Sequence, residues 1–179
     1  MVKYREIIKH PIDMTVAPNT EFVDEIIANG GDTVNMCFQC GTCTASCPSG
    51  RQTSFRTRRL VRMAQLGLKD EVLNSPELWY CTTCYTCTER CPRDVGIVDV
   101  IIAMRNIAVA SGKMYEGHKK TASSFVKSGH TVGITDDVKA QRKALGLSEV
   151  PPTVLASKDA KKDFDKIIKA TGFKKVIGE

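Results

Sequence analysis

The sequence predicts an all-α protein, and three observations carry that prediction. Apolar residues recur three or four positions apart in successive stretches, as one face of a helix requires. Most of those stretches run into a glycine, the residue that closes helices in the left-handed conformation. Runs alternating apolar and polar residues, the mark of a half-buried strand, are almost absent.

In chain order, Asn19 or Thr20 caps a first helix containing Phe22, Val23, Ile26 and Ile27, which Gly30-Gly31 ends. A cysteine group follows at once, Cys37-Phe38-Gln39-Cys40-Gly41-Thr42-Cys43-Thr44-Ala45-Ser46-Cys47-Pro48. From about Thr53 to Leu68, the residues Leu60, Val61, Ala64 and Leu68 have helical spacing, with fraying at Gly67. A capped start at Ser75-Pro76-Glu77 leads through Leu78, Trp79 and Tyr80 into a second group, Cys81-Thr82-Thr83-Cys84-Tyr85-Thr86-Cys87-Thr88-Glu89-Arg90-Cys91-Pro92. The next helix carries Val98, Ile101, Ile102 and Arg105 and runs to Ser111, with Gly112 as its stop. Cysteine group, proline and helix thus occur twice, each cysteine displaced by 44 residues. Beyond Gly112 three more short helices are expected: one before Gly129, one from about Thr135 to Leu145, and one from about Ser157 to Thr171. We therefore divide the chain into a cysteine-bearing domain, residues 1–112, and a helical C-terminal extension, residues 113–179.

A chain of 179 residues allows one compact domain with an extension, or two small ones. With 42% hydrophobic and 26% charged residues, its composition is that of a globular protein. The longest apolar run, Val100 to Met104, is far below the roughly 20 residues that span a bilayer. Met1-Val2-Lys3-Tyr4-Arg5-Glu6 leads into no signal peptide, so the chain is expected to stay in the cytoplasm. There its eight cysteines point to metal or redox chemistry, since disulfides do not persist in a reducing compartment. Residues 1–112 contain 12 Lys+Arg and 12 Asp+Glu, and residues 113–179 contain 14 and 8, so the net charge of +6 lies in the extension. That tail reads either as solvated helix faces or as a docking surface for an acidic partner. Its apolar residues Phe125, Val126, Leu145, Leu147, Phe164, Ile167 and Ile168 would anchor short helices on the cysteine domain or on a partner.

Both cysteine groups have the form C-x2-C-x2-C-x3-C-P, the run that binds 4Fe-4S clusters in bacterial ferredoxins. Three cysteines at i, i+3 and i+6 let one loop wrap a corner of a bulky cluster. Zinc, with Zn–S bonds of about 2.3 Å, instead draws pairs of ligands from separate knuckles. A c-type haem is excluded because neither group contains Cys-x-x-Cys-His. In two-cluster ferredoxins the fourth cysteine of each run ligates the other cluster. On that pattern the sets are Cys37, Cys40, Cys43 with Cys91, and Cys81, Cys84, Cys87 with Cys47. Pro48 and Pro92 are expected to hold the preceding cysteine extended and to start the next helix, its N-terminus facing a negatively charged cluster.

Two clusters use all eight cysteines, which leaves no thiol for catalysis. His10, His118 and His130 lie away from the cysteine groups, which disfavours a Rieske centre. Neither a G-x-G-x-x-G fingerprint nor a Walker A loop is present, so the inventory leaves a carrier of single electrons. Around the cysteines, Gly41 would let the backbone approach closely. Thr42, Thr44, Ser46, Thr82, Thr83, Thr86 and Thr88 offer hydroxyls to the clusters or to tight turns, and Trp79 and Tyr85 are either shields of the second cluster or plain core. Arg51, Arg56, Arg58, Arg59 and Arg62 offset cluster charge, contact a partner, or form a solvated helix face.

These residues resemble a known family, the C subunit of heterodisulfide reductase, an electron-transfer component of methanogenic archaea with relatives in sulfur-metabolising bacteria. The blocks Cys37 to Pro48 and Trp79 to Pro92 look like its two motifs, and the helix from Asp99 to Ala110, with Met104-Arg105-Asn106-Ile107-Ala108, is also similar. The resemblance covers roughly residues 20 to 112. The 33 residues between Cys47 and Cys81, read as helical, indicate the α-helical ferredoxin group instead of the compact βαβ type. The implied architecture is an α-helical ferredoxin-like domain with two interlocked 4Fe-4S clusters plus a helical extension. The implied function is a cytoplasmic oxidoreductase complex in which a flavin-containing A subunit, itself linked to a hydrogenase, supplies electrons. This chain relays them without a substrate site of its own, and a B subunit reduces the disulfide of coenzyme M and coenzyme B. Neither nucleic acid nor membrane is an expected partner.

Two alternatives compete. An iron-sulfur subunit of the glycolate oxidase or succinate dehydrogenase type also carries a helical two-cluster module, but the latter adds a 2Fe-2S group for which no cysteine remains. A nucleic-acid-binding protein with structural clusters is suggested by Arg51 to Arg62 and the basic tail, yet no binding motif accompanies them.

Overall fold

The computed structural model describes residues 18–154 and 157–178. The readings of Met1 to Glu6 and of His10 lie outside the described residues. Helices and turns make up the described residues, with no strand among them. The protein is all-α. The described residues divide after Met104 into two compact units. That division falls inside one helix, whose closing glycine is Gly112.

In the first unit, the Asn19 side-chain oxygen accepts a hydrogen bond from the Glu21 amide at 2.9 Å, just before α1 (Phe22–Ala28). α1 buries Phe22 and Ile26, one turn apart, each contributing about 1.5–3 kcal/mol relative to exposure. A 3-10 turn, Val34–Met36, then delivers the chain to the first cysteine loop. α2 (Thr42–Ser46), α3 (Pro48–Gln52) and α4 (Thr57–Gln65) follow. α4 buries Leu60, Val61 and Ala64 and leaves Arg58, Arg59 and Arg62 in solvent, as its periodicity predicts. The helix expected from about Thr53 starts only at Thr57, however, after extended backbone at Thr53 and Arg56. Arg56 fixes the break, its guanidinium donating to the carbonyl oxygens of Gly50, Thr53 and Phe55 at 2.8, 2.9 and 2.8 Å.

α5 (Lys69–Leu73) has no counterpart in the periodicity because five residues are too few to show a repeat. Lys69 Nζ ties it to α1 through Glu25 at 2.5 Å. Pro76–Tyr80 is a 3-10 turn, and the Ser75 side chain makes no capping bond there, so the expected capped helix is shorter and tighter than its sequence suggests. After α6 (Thr86–Glu89), the structure corrects a second expectation: Pro92 opens a turn and not a helix. Asp94 adopts a left-handed φ of +51°, and the Gly96 amide is drawn off to the Thr33 hydroxyl at 2.9 Å. α7 (Ile97–Ala110) begins only beyond that diversion.

The second unit contains α8 (Glu116–Ser128), α9 (Asp136–Ala144), α10 (Lys158–Ala170) and α11 (Phe173–Ile177). Thr135 and Ser157 cap α9 and α10, each side-chain oxygen accepting from the amide three residues on. Val126, Phe164, Ile168 and Ile177 form the core of this unit, with Phe125 set edge-on to Phe164 at 5.2 Å between ring centroids. Of the expected anchors, Ile167, Leu145 and Leu147 do not join it. Ile167 is one residue off the Phe164–Ile168 face of α10, and the two leucines flank Gly146 beyond the end of α9, exposed by 76% and 50%.

Two glycines close helices in the same way and meet different surroundings. At Gly67 (φ +70°) and at Gly112 (φ +76°), the glycine amide and the next amide bond back to the preceding turn. A Cβ on Gly67 would fall 2.5 Å from the Asn19 carbonyl oxygen, whereas a Cβ on Gly112 meets nothing within 4 Å. Gly112→Ala should therefore cost only the left-handed penalty of about 1–2 kcal/mol. Gly67→Ala should lower the urea midpoint of the anaerobically held protein further, and equal midpoints for the two variants would show that the contact with Asn19 carries no strain.

Candidate metal centres

The two cysteine loops share one backbone device. Gln39 and Gly41 in the first have φ of +67° and +88°, and Thr83 and Tyr85, one repeat later, have +51° and +60°. Only one of the four is a glycine, so the second loop accepts the left-handed conformation with a β-branched and an aromatic residue, at about 1–2 kcal/mol each. Such turns curl the chain so that three cysteines of one loop line one cavity. Gly41 and Tyr85 then become the N-caps of α2 and α6, which pack against each other.

The structure divides the eight cysteines between two cavities. Cys37, Cys40, Cys43 and Cys91 line the first, with Phe38, Gln39, Thr42, Arg58, Arg93 and Ile97 among their neighbours. Cys47, Cys81, Cys84 and Cys87 line the second, with Phe55, Thr57, Thr82, Tyr85, Val98 and Ile101. All eight are free thiols. The donor set fits a 4Fe-4S cluster in each cavity: four sulfurs line each one, and no carboxylate or imidazole does. Among the described residues no three His, Cys, Asp or Glu side chains gather as tightly as a single metal ion needs.

Thiol chemistry follows the repeat. The Thr42 hydroxyl lies 3.3 Å from the Cys40 sulfur and the Thr86 hydroxyl 3.5 Å from that of Cys84. These hydrogen bonds lower the pKa of both exposed thiols. Burial raises the pKa of Cys43, and that of Cys87 is pushed up to about 11 by burial and then by Cys81 and Cys43. Cys47 and Cys91 each accept a backbone amide, from Gly50 and Val95, both at 3.4 Å.

Other hydroxyls serve the scaffold. Thr44 Oγ1 accepts from the Arg58 amide at 3.0 Å and Thr88 Oγ1 from the Val98 amide at 3.4 Å, capping α4 and α7 at equivalent places. Ser46 accepts from Arg90, its repeat partner, at 3.5 Å. Two anchors carried no sequence signal. Gln65 on α4 donates to the carbonyl oxygens of Val34 and Cys37 at 3.1 and 2.9 Å, holding the start of the first loop. Ser49 on α3 donates to the Tyr80 carbonyl at 2.7 Å and holds the second.

Tyr85 lines the second cavity but is 44% exposed; Trp79 is half-buried in its turn and does not line that cavity. The arginines have separate roles. Arg56 is the clamp described above, Arg59 pairs with Glu77 at 3.6 Å, and Arg58 lines the first cavity. Together with Arg62 these three line an open groove beside Gln39 and Thr44, and Arg51 is exposed on α3. His118 and His130 belong to the second unit, where His118 meets the Tyr115 ring edge-on and His130 Nε2 lies 2.6 Å from the Thr153 hydroxyl.

Comparison with known proteins agrees with this geometry. The model of the 4Fe-4S dicluster domain family matches residues 33–95, a span holding all eight cysteines. The C subunit of the H(2):CoB-CoM heterodisulfide,ferredoxin reductase of Methanothermobacter thermautotrophicus is 53% identical over 158 residues, 88% of this chain and 85% of that protein. The iron-sulfur C subunit of the CoB-CoM heterodisulfide reductase of Methanopyrus kandleri is 53% identical over 145 residues, 81% of this chain and 76% of its own. The C subunit of the Ferredoxin:CoB-CoM heterodisulfide reductase of Methanosarcina mazei is 38% identical over 155 residues, 87% of this chain and 96% of its own. With two 4Fe-4S clusters as its cofactors, the chain belongs to the family of heterodisulfide reductase C subunits, the iron-sulfur component of an oxidoreductase.

Proposed function

We propose that Cys37, Cys40, Cys43 and Cys91 hold one cluster and Cys81, Cys84, Cys87 and Cys47 the other, and that the chain relays single electrons between two partner subunits. The donor would be a flavin-containing A subunit, reached in turn by a hydrogenase. The acceptor would be a catalytic B subunit that reduces the coenzyme M-coenzyme B heterodisulfide, a substrate class that the names of the relatives support. One observation carries the reading: the eight cysteines fall four and four into two cavities, each taking its fourth sulfur from the other loop. When bound, each cluster supplies a one-electron couple.

The chain's own residues ligate, exclude water and leave two openings. Cys43 and Cys87 are buried, whereas Cys40 and Cys84 are exposed, one at each cavity. Since every cysteine lines a cavity, none is left as a nucleophile toward a disulfide substrate. Among the described residues no helix is long and apolar enough to cross a membrane. The proposed site of action is the cytoplasm, a reducing compartment in which eight free thiols persist until they ligate metal. Residues 113–179 are proposed as a basic docking extension, a role supported by the +6 excess they hold and by the core they close within their own unit.

Three outcomes test this. Cys91→Ser should perturb the spectroscopic signature of the cluster held by Cys37, Cys40 and Cys43 more than that of the nearer loop, and the reverse pattern would refute crossed ligation. The isolated, fully loaded chain should accept electrons from a low-potential reductant yet leave the heterodisulfide intact until the B subunit is added; turnover by the purified chain alone would refute the relay. Deleting residues 113–179 should keep iron and sulfide at about eight each while weakening assembly. Loss of iron on truncation would instead make the tail part of the cluster domain.

A further inference from the structure

The two cavities are built from equivalent positions, and one pair of those positions breaks the equivalence. Thr57 is the first residue of α4 and Ile97 the first of α7. The residue after each donates its amide to a repeat-related threonine, Arg58 to Thr44 and Val98 to Thr88. Thr57 and Ile97 are therefore structural counterparts. Thr57 lines the second cavity and Ile97 the first.

Thr57 is 1% exposed, and its hydroxyl is the buried side-chain polar atom without a hydrogen-bond partner among the described residues. Leaving a buried hydroxyl unpaired costs about 1–3 kcal/mol, which a valine of the same shape would avoid. Other threonines in these helices solve the problem locally. Thr53, Thr121 and Thr171 each donate to the carbonyl four residues back. For Thr57 that carbonyl belongs to Thr53, where it accepts from the Arg56 guanidinium. Thr57, the residue that carries this unpaired hydroxyl, lines a cavity whose four sulfurs are hydrogen-bond acceptors.

We propose that the Thr57 hydroxyl donates a hydrogen bond to the cluster held by Cys47, Cys81, Cys84 and Cys87, and so raises that cluster's reduction potential. The proposal rests on the ligand reading above. Its sign follows from electrostatics: the donor's positive end favours the state carrying the extra electron. The side chain of the counterpart Ile97 has no polar hydrogen to donate, so the first cluster lacks this contribution. Arg58, exposed at the first cavity, tunes that cluster through screened charge instead. Repeat symmetry in the ligands thus coexists with different tuning of the two couples.

The test is a redox titration of the anaerobic full-length chain with both clusters loaded, followed by electron paramagnetic resonance. Signals are assigned to each cluster with Cys37→Ser and Cys81→Ser. Thr57→Val should shift one potential, that of the cluster perturbed by Cys81→Ser, to a more negative value, with iron and sulfide content unchanged. Thr57→Ser should restore it. If the valine variant does not load, Thr57→Ala serves as the hydroxyl-free form. Unchanged potentials in a loaded hydroxyl-free variant overturn the proposal, as does a shift confined to the cluster perturbed by Cys37→Ser. A Cys47→Ser variant that disturbs the same signal as Cys37→Ser overturns the ligand reading itself, an outcome distinct from an unmoved potential.

Discussion

Everything in the cysteine-bearing unit depends on two pairs of left-handed residues, Gln39 with Gly41 and Thr83 with Tyr85. A right-handed turn alone would spiral successive cysteines around a helix. Interrupting it twice within six residues folds the loop back on itself, so three sulfurs line one cavity, and successive residues of alternating hand are the backbone pattern that makes anion-binding concavities. A thiolate-rich cluster is the anion such a surface suits. The cost is highest at Thr83 and Tyr85, where side chains occupy a conformation that favours glycine, and strain of this kind persists only where surrounding structure fixes it. Gln65 and Ser49 supply that fixing by hydrogen bonds to the backbone at the entrance of each loop.

Repetition explains how so short a chain encloses two centres. α2 and α6 pack together, and they carry the buried Cys43 and Cys87, of which Cys43 adds to the rise in the pKa of Cys87. Burial raises the pKa of these two thiols, whereas hydrogen bonds with Thr42 and Thr86 make the exposed Cys40 and Cys84 easier to ionise. Each cavity therefore pairs an exposed thiol that ionises more easily with a buried one that ionises less easily.

Much of this was legible from residue spacing. The 44-residue displacement of the cysteines, the apolar faces of α1, α4 and α7, and the closing glycines required no tertiary information. What was not legible depended on distant partners. Pro92 has the sequence context of Pro48, yet no helix follows it directly, because Thr33, far upstream, draws away the Gly96 amide. Arg56 looks like one of five similar arginines until its three carbonyl partners are seen. Left-handed residues at 83 and 85 carry no local mark, although the repeat relates Tyr85 to Gly41 and so held the information. A partner-free hydroxyl such as that of Thr57 is invisible in sequence by definition, since it is an absence in the fold.

The contrast between the cavities bears on direction. A relay works only if electrons find the second couple no harder to reduce than the first by more than the next step recovers. Perfect duplication would make the two couples nearly equal and leave direction to the partners. Here the linings differ: Phe38, Arg58, Arg93 and Ile97 stand around one, and Phe55, Thr57, Tyr85 and Val98 around the other. Exposed arginine charge is screened by salt and changes when a partner covers it, whereas a buried hydroxyl acts at constant strength. Under the relay reading, and with the hydrogen bond proposed for Thr57, the second centre would have an internally fixed setting, and the first would be the one whose potential responds to docking. Asymmetry in how the two centres are tuned, with symmetry in how they are held, would let one duplicated motif serve the two different neighbours that the relay proposal gives it.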